Sequence, residues 1–238
     1  LKASFKTAIH DLFTKVAPHY DRMNDLMSLG WQRFWKAYFV QNLPFKQLPS
    51  PMHYLDMASG TGDIGNLVFQ YAKEQKKEVF AYFADPNETM IAQAQSKSLY
   101  SDSIQWTCTG AEKTPFLDTY FDLYTIAFGL RNVENRHATL MEAFRILKPG
   151  SFFYCLEFSH LIHAGLVPIY HAYLYSVLPL LGKKIAGDRA PYDYLRKSIL
   201  EFPSQPMLAM ELNQAGFSQV GFCNLSSGIV AIHWGIKP

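Results

Sequence analysis

The stretch YLDMASGTGDIG, residues 54–65, runs from apolar residues into three glycines at Gly60, Gly62 and Gly65, spaced G-x-G-x-x-G. A glycine-rich turn after an apolar run brings backbone close to a ligand, although the spacing alone is weak evidence. Its surroundings decide what it means. HYLDMA (53–58) reads as a strand and DIGNLVFQYAKEQ (63–75) as a helix, so the turn joins a strand to a helix.

The alternation continues outward. VFAYFA (79–84) reads as a strand, ETMIAQAQSKSL (88–99) as a helix, IQWTCT (104–109) and FDLYTIAFG (121–129) as strands, ENRHATLMEAFRIL (134–147) as a helix and SFFYCLEFS (151–159) as a strand. Apolar strands separated by helices predict a parallel sheet covered on both faces. QPMLAMELNQAGF (205–217) reads as a helix, and SQVGFCNL with GIVAIHWG, joined through SSG, as a terminal hairpin that makes the sheet edge mixed. Before the turn, residues 1–44 read as helices and NLPFKQLPSP (42–51) marks a boundary.

At 238 residues, 49% hydrophobic and 18% charged, the chain supports one substantial core. A net charge of +2 argues against a large nucleic-acid footprint. Cys108, Cys155 and Cys223 form no C-x-x-C pair, which fits a cytosolic compartment, and LKASFKTAIHDLF at the start has no long apolar signal core. The segment LIHAGLVPIYHAYLYSVLPLLG (161–182) has no charged residue, but two histidines and two prolines interrupt it. It reads as a buried or dimer-facing helical pair or as a greasy substrate-side or membrane-touching cap, in preference to a transmembrane helix.

Open parallel sheets bind ligands at the carboxyl ends of their strands. In this segmentation Asp56 and the glycine turn follow the first strand, Asp85 and Asn87 the second, Gly110, Ala111 and Glu112 the third, Gly129, Arg131 and Asn132 the fourth, and Glu157, Ser159 and His160 the fifth. Asp85 stands where an acid accepts hydrogen bonds from a cofactor ribose; it also fits helix capping in DPNETM, with Pro86 in the first turn. Asp56 and Asp63 put negative charge around the turn, which repels a diphosphate and suits an ammonium, or holds the turn by accepting backbone N–H bonds. A cationic, adenosine-bearing ligand such as S-adenosylmethionine therefore fits better than NAD.

The chain resembles the ubiquinone/menaquinone biosynthesis C-methyltransferases, S-adenosylmethionine-dependent enzymes of class I. The matching stretches run in order along nearly all of it: YDRMNDLMSLGWQRFWK (20–36), LDMASGTGDIG (55–65), ADPNETM (84–90), AEKTPF (111–116), FDLYTIAFGLRNV (121–133), RILKPG (145–150), LEFS (156–159), GDRAPYDYLRKSILEFPSQ (187–205) and GIVAIHWG (228–235). The resemblance implies a Rossmann-like α/β fold, a mostly parallel seven-stranded sheet with helices on both faces and an antiparallel last strand. It divides the chain into an N-terminal helical lid (1–44) and a methyltransferase domain (45–238), with 160–200 a helical, partly apolar insertion on the acceptor side.

By the same resemblance, Thr61, Asp85, and Gly110 with Ala111 hold S-adenosylmethionine, among neighbours Asp56, Ser59, Gly60, Gly62, Pro86 and Ala127. Four positions depart from the family pattern. Ala127 replaces a serine that lines the pocket, Ser59 a glycine, Gly110 an Asp or Asn that meets the adenine amino group, and Ser151 the second glycine of K-P-G-G.

The implied reaction is methylation at carbon of a polyprenylated benzoquinol or demethylmenaquinol ring, with a lipophilic quinol as substrate. The protein is expected in the cytoplasm, with peripheral membrane contact and a homodimer both compatible with segment 161–182. Arg131 and Asn132 are the acceptor-side catalytic candidates; alternatives for Arg131 are an ion pair with Glu134 or Glu157 and a strand-end hydrogen bond. Tyr20 and Asp21, with Asn24, form one lid cluster, and Asp188, Arg189, Tyr192 and Tyr194 a second, each equally readable as packing. His160 is a weaker general-base candidate, and the histidines form no metal signature. Small-molecule O-methylation and a methyltransferase-like partner protein without catalysis remain alternatives.

Overall fold

The computed structural model describes residues 28–98, 100–177 and 190–238, with the single positions Thr14 and Asp25. Its elements in chain order are α1 (Trp31–Gln41), β1 (Met52–Met57), α2 (Asp63–Glu74), β2 (Val79–Asp85), α3 (Glu88–Lys97), β3 (Ile104–Cys108), β4 (Phe121–Ala127), α4 (Arg136–Ile146) and β5 (Leu147–Phe158). There follow α5 (Val167–Ala172), running into a π-helical turn over Tyr173–Val177, then α6 (Ala190–Glu201), α7 (Gln205–Gln214), β6 (Ser218–Leu225) and β7 (Val230–Ile236). The strands form one seven-stranded sheet in the order β3-β2-β1-β4-β5-β7-β6. All neighbours pair in parallel up to β5, and β7 runs antiparallel to both β5 and β6.

Side-chain alternation along the strands divides the core into two. On β1, Met52 and Tyr54 face one layer with Phe39 and Val40 of α1 and Val68 and Ala72 of α2; Leu55 and Met57 face the other with Leu140 of α4 and Leu208 and Leu212 of α7. The strands are apolar on both faces because both are covered, and each fully buried large side chain stabilises by about 1.5–3 kcal/mol. The β4–β5 register shifts between Phe121 and Leu123, and Phe121 joins the same core as Tyr124 despite their odd separation. Trp35, Phe39 and Val40 join the first core, so α1 packs as part of the body of the fold.

Local chemistry sets the helix starts. Asn87 caps α3, its side chain accepting from the N–H groups of Thr89 and Met90, and Asn135 caps α4 by accepting from Ala138 N–H. Pro86 therefore precedes the cap, which corrects its expected place in the first helical turn. The segment from 161 shows a short α5 with Pro168 in its first turn. Among the described residues no helix is long and apolar enough to cross a membrane.

Candidate active site

The strand order reverses between β1 and β4, the switch point where open sheets open a crevice. Both strands end there in residues with left-handed backbone, Ala58 (φ 53°) and Phe128 (φ 54°). Such conformations cost on the order of 1–3 kcal/mol in non-glycine residues and persist where the surroundings impose them. The two turns touch: a Cβ on Gly129 would lie 2.5 Å from the Cβ of Ala58. Only glycine allows that approach.

The glycine turn is fixed through backbone. Ser59 N–H donates to Ala84 O at 3.1 Å and Gly62 N–H to Ser59 O at 2.8 Å. Asp85 binds the turn to the next helix, taking Gly60 N–H on Oδ2 at 2.9 Å and Asn87 N–H on Oδ1 at 2.8 Å. Asp56, on β1 itself, accepts Gly65 N–H at 2.9 Å and the Thr125 hydroxyl at 3.0 Å, and Thr125 is 2.8 Å from the Tyr54 hydroxyl. Asp63 meets Lys36 at 2.7 Å. Two of the acids thus hold the turn by accepting N–H bonds, and the third is neutralised by α1. Thr61 is buried and lines a polar hollow between α1 and α2 with Lys36, Asp63 and Asn66.

Burial raises the Asp56 carboxyl to about 7; the Thr125 and Gly65 hydrogen bonds oppose the shift, and the charges of Asp85 and Asp63 add to it. The folded protein then keeps a proton that the unfolded chain releases near the ordinary carboxylate value, so this contribution is complete at low pH and is lost as pH rises through about 7. Between pH 5 and pH 7 unfolding experiments should show a loss of roughly 2 kcal/mol that is absent in Asp56→Asn. An identical pH profile in the variant would rule out Asp56 as the source.

At the end of β3, Ala111 is buried, and a Cβ on Gly110 would stand 3.0 Å from Glu112 Oε2. Glu112 Oε1 accepts Glu134 N–H at 2.9 Å, so Glu134 reaches this corner by its backbone. Pro86 is exposed beside it. Ala127, the last residue of β4, packs against the first core.

Arg131 realises the ion-pair alternative. Its Nη1 donates to Glu157 Oε1 at 2.7 Å and to Phe128 O at 2.6 Å, and its own N–H reaches Glu157 Oε2 at 3.2 Å. The two side chains are 6% and 1% exposed. Asn132 Nδ2 donates to the same Phe128 carbonyl at 3.3 Å, while its Oδ1 accepts the Tyr194 hydroxyl at 2.9 Å. Burial raises the Tyr194 hydroxyl above its ordinary value, with Arg131 opposing and Glu157 and Glu201 adding. Tyr192 lies buried with Leu174, Leu195 and Ile199. Tyr20, Asp21, Asn24, Asp188 and Arg189 lie outside the described residues.

His160, the weaker general-base candidate, has its Nε2 2.6 Å from Phe202 O, and its carbonyl accepts Gln205 Nε2 at 2.7 Å, tying it into the start of α7. Among the described residues, no group of three His, Cys, Asp or Glu side chains is placed to hold a metal.

Beyond Phe158 lies an apolar cavity of about 540 Å³ bordered by Trp35, Phe158, Tyr170, Tyr173, Leu195 and Ile199. Ser226 and Ser227, from the β6–β7 turn, close one side, and Ser226 Oγ accepts Trp35 Nε1–H at 2.8 Å. Tyr170 and Tyr173 belong to the uncharged segment expected on the substrate side, whereas sequence reasoning missed Trp35, Ser226 and Ser227. Trp35 and Ser226 are 191 positions apart, and only the SSG hairpin signal hinted that this turn returns to the same end of the sheet.

The model of the ubiE/COQ5 methyltransferase family matches residues 2–237. The ubiquinone/menaquinone biosynthesis C-methyltransferase UbiE of Rickettsia peacockii is 43% identical over 228 residues, covering 94% of this chain and 90% of that protein. UbiE of Rickettsia bellii is 42% identical over 241 residues, covering 100% and 96%. Among solved structures, the Haloferax volcanii putative methyltransferase complex with the Trm112 activator aligns with TM-score 0.66 at 15% identity, over 95% of this chain and 97% of that one. A Thermotoga maritima S-adenosylmethionine-dependent methyltransferase, described as a possible histamine N-methyltransferase, aligns at 0.64 with 19% identity, over 96% and 99%. At those identities the structural likeness establishes the fold alone.

Proposed function

The chain belongs to the ubiE/COQ5 methyltransferase family, and from that premise we propose that it methylates a ring carbon of a polyprenylated quinol whose tail occupies the apolar cavity. It is an S-adenosylmethionine-dependent C-methyltransferase of quinone biosynthesis. The residues at the switch point fit that cofactor. Nothing lies within 4 Å of where Gly60 would carry a Cβ, which leaves room over the turn, and the Asp85 carboxylate stands against Gly60 at its edge.

When bound, S-adenosylmethionine would supply a methyl on a positively charged sulfur: the acceptor ring carbon gains it as the C–S bond breaks to the neutral thioether, and the displaced ring proton passes to water. In our reading Asp85 accepts from the ribose hydroxyls, its orientation set by Gly60 and Asn87 N–H, while the 59–62 turn cradles the amino-acid end. Backbone at Gly110 and Ala111 borders the adenine. Arg131 keeps its charge at any working pH and so stabilises a phenolate oxygen on the acceptor; it is not itself a base. Glu157 holds the guanidinium in place, and Asn132 aligns the same turn.

The observation that carries the acceptor class is the cavity: aromatic and aliphatic walls directly behind Phe158, whose ring lies 5.3 Å from the Arg131 guanidinium carbon. Burying a methylene there contributes about 0.8 kcal/mol, so each five-carbon unit adds up to about 4 kcal/mol before ordering costs. Leu29, Trp31 and Ile169 border the cavity and are 73%, 54% and 68% exposed, an apolar rim suited to meeting a bilayer surface from which such a quinol is drawn.

Incubation with isotopically labelled methyl donor and a short-tailed hydroquinone, followed by mass analysis and localisation of the label, tests the reading. The label is expected on ring carbon. Label on oxygen would assign the O-methyl alternative, and absence of S-adenosylmethionine binding in calorimetry would leave only a non-catalytic role.

A further inference from the structure

Phe158 belongs to both halves of the site. One side of its ring borders the apolar cavity and meets Trp35 edge-on at 6.2 Å between centroids. It also lies 5.0 Å from the Phe128 ring and under the Arg131 guanidinium at 5.3 Å, and its N–H donates to Glu157 at 2.8 Å. A second link runs through α6. Leu195 and Ile199 border the cavity, while Tyr194, the residue before Leu195, donates its hydroxyl to Asn132 Oδ1 at 2.9 Å. Asn132 in turn donates to the Phe128 carbonyl that also takes Arg131.

The packing of α6 differs from that of the sheet. Buried Tyr192, Leu195 and Ile199 of α6 form a small cluster with Leu174, separate from the two large cores. A chain of methyl-branched hydrocarbon filling the cavity adds apolar contacts to Leu195 and Ile199, and so fixes α6 at the point where Tyr194 meets Asn132. Binding energy from a remote part of a substrate raises turnover when it orders the reacting end.

We propose that Tyr194 is a specificity-determining positioning residue that couples occupancy of the apolar cavity by the acceptor's tail to the order of the Phe128–Asn132 turn, so that the tail raises kcat as well as lowering KM. The inference rests on the quinol reading of the preceding subsection. It assigns Phe158 the parallel role on the β5 side.

The test compares kcat and KM for one hydroquinone ring with and without a two-unit isoprenoid tail, in the native protein and in Tyr194→Phe, which keeps the ring and removes the donor. The native protein is expected to turn over the tailed ring about tenfold faster at saturation, the effect of one well-placed hydrogen bond. In Tyr194→Phe that kcat ratio should fall to about one, while the tail's KM advantage and the calorimetric affinity for S-adenosylhomocysteine persist. An unchanged kcat ratio in the variant, a native ratio of one, or an equal loss with both substrates would overturn the coupling and leave the function standing. If S-adenosylhomocysteine binds but neither ring is methylated by the native protein, the functional reading falls and the coupling with it. Should Tyr194→Phe fail to fold, Phe158→Leu asks the same question through the other link, with the same expected collapse of the ratio.

Discussion

Arg131→Ala is expected to lower the unfolding free energy by about 3–5 kcal/mol, the range for removing one partner of a buried ion pair. Glu157 is 1% exposed and its carboxylate loses a partner at 2.7 Å, keeping, among the described residues, the backbone N–H groups of residue 131 and Phe158. The Phe128 carbonyl loses its 2.6 Å donor at the same time, at a residue whose left-handed backbone needs support. Urea unfolding at pH 7 reads the loss as a lower midpoint with an unchanged slope. Arg131→Met combined with Glu157→Leu should recover most of the stability, since apolar replacement of both partners is often neutral or better. The alanine variant therefore cannot assign catalysis. Arg131→Lys keeps the charge beside Glu157 and gives up the planar fork, so it should stay folded while kcat falls on the order of a hundredfold. An alanine variant within about 1 kcal/mol of the native protein would show that the Glu157 carboxylate is not held as a buried charge.

The sheet was legible because two-sided burial writes itself into composition: β1, β2, β4 and β5 are apolar runs bounded by helices, and the hairpin of β6 and β7 carries its own turn signal. What escaped lies where pairing decides. β5 starts at Leu147, four residues before the expected Ser151, because Gly150 N–H donates to Lys237 O and Lys148 pairs with Asp122. The Tyr54–Thr125–Asp56 network depends on β1 and β4 being neighbours, with Asp56 opposite Thr125, which nothing in either segment reveals alone.

The site was legible in its parts and not in its connections. Strand ends named Asp56, Asp85, Gly110, Arg131, Asn132 and Glu157 in advance, since the topology delivers them to one edge. Sequence left Arg131 three readings, and the structure shows two of them together, the ion pair with Glu157 and the hydrogen bond to Phe128 O at the end of β4. The uncharged segment after residue 160 gave hydropathy without direction. Its fold bends through a short helix and a π-helical turn, so that Tyr170, Tyr173 and Leu174 border the cavity while Ile169 is exposed at 68% on the rim.

Gly65→Ala should destabilise by about 3 kcal/mol, which at this chain length lowers the melting temperature by roughly 6–12 °C. A Cβ at that position would sit 2.0 Å from Phe83 Cζ. The ring has nowhere to go: Phe83 is fully buried, with Trp106 edge-on at 5.1 Å and Tyr54 at 6.4 Å between centroids. The alternative is for α2 to move off β2, which stretches the 2.9 Å bond from Gly65 N–H to Asp56 and opens the turn over Gly60 and Gly62. Cofactor affinity in the folded fraction should therefore fall together with stability, a joint loss that a purely local clash would not produce. Phe83→Leu alone costs packing, but in the Gly65→Ala background it frees the contested space, so the double variant should be more stable than the sum of the singles predicts. Strict additivity, or a melting temperature within about 2 °C of the native value for Gly65→Ala, would mean that α2 and β2 are not in the close contact from which the cradle is built.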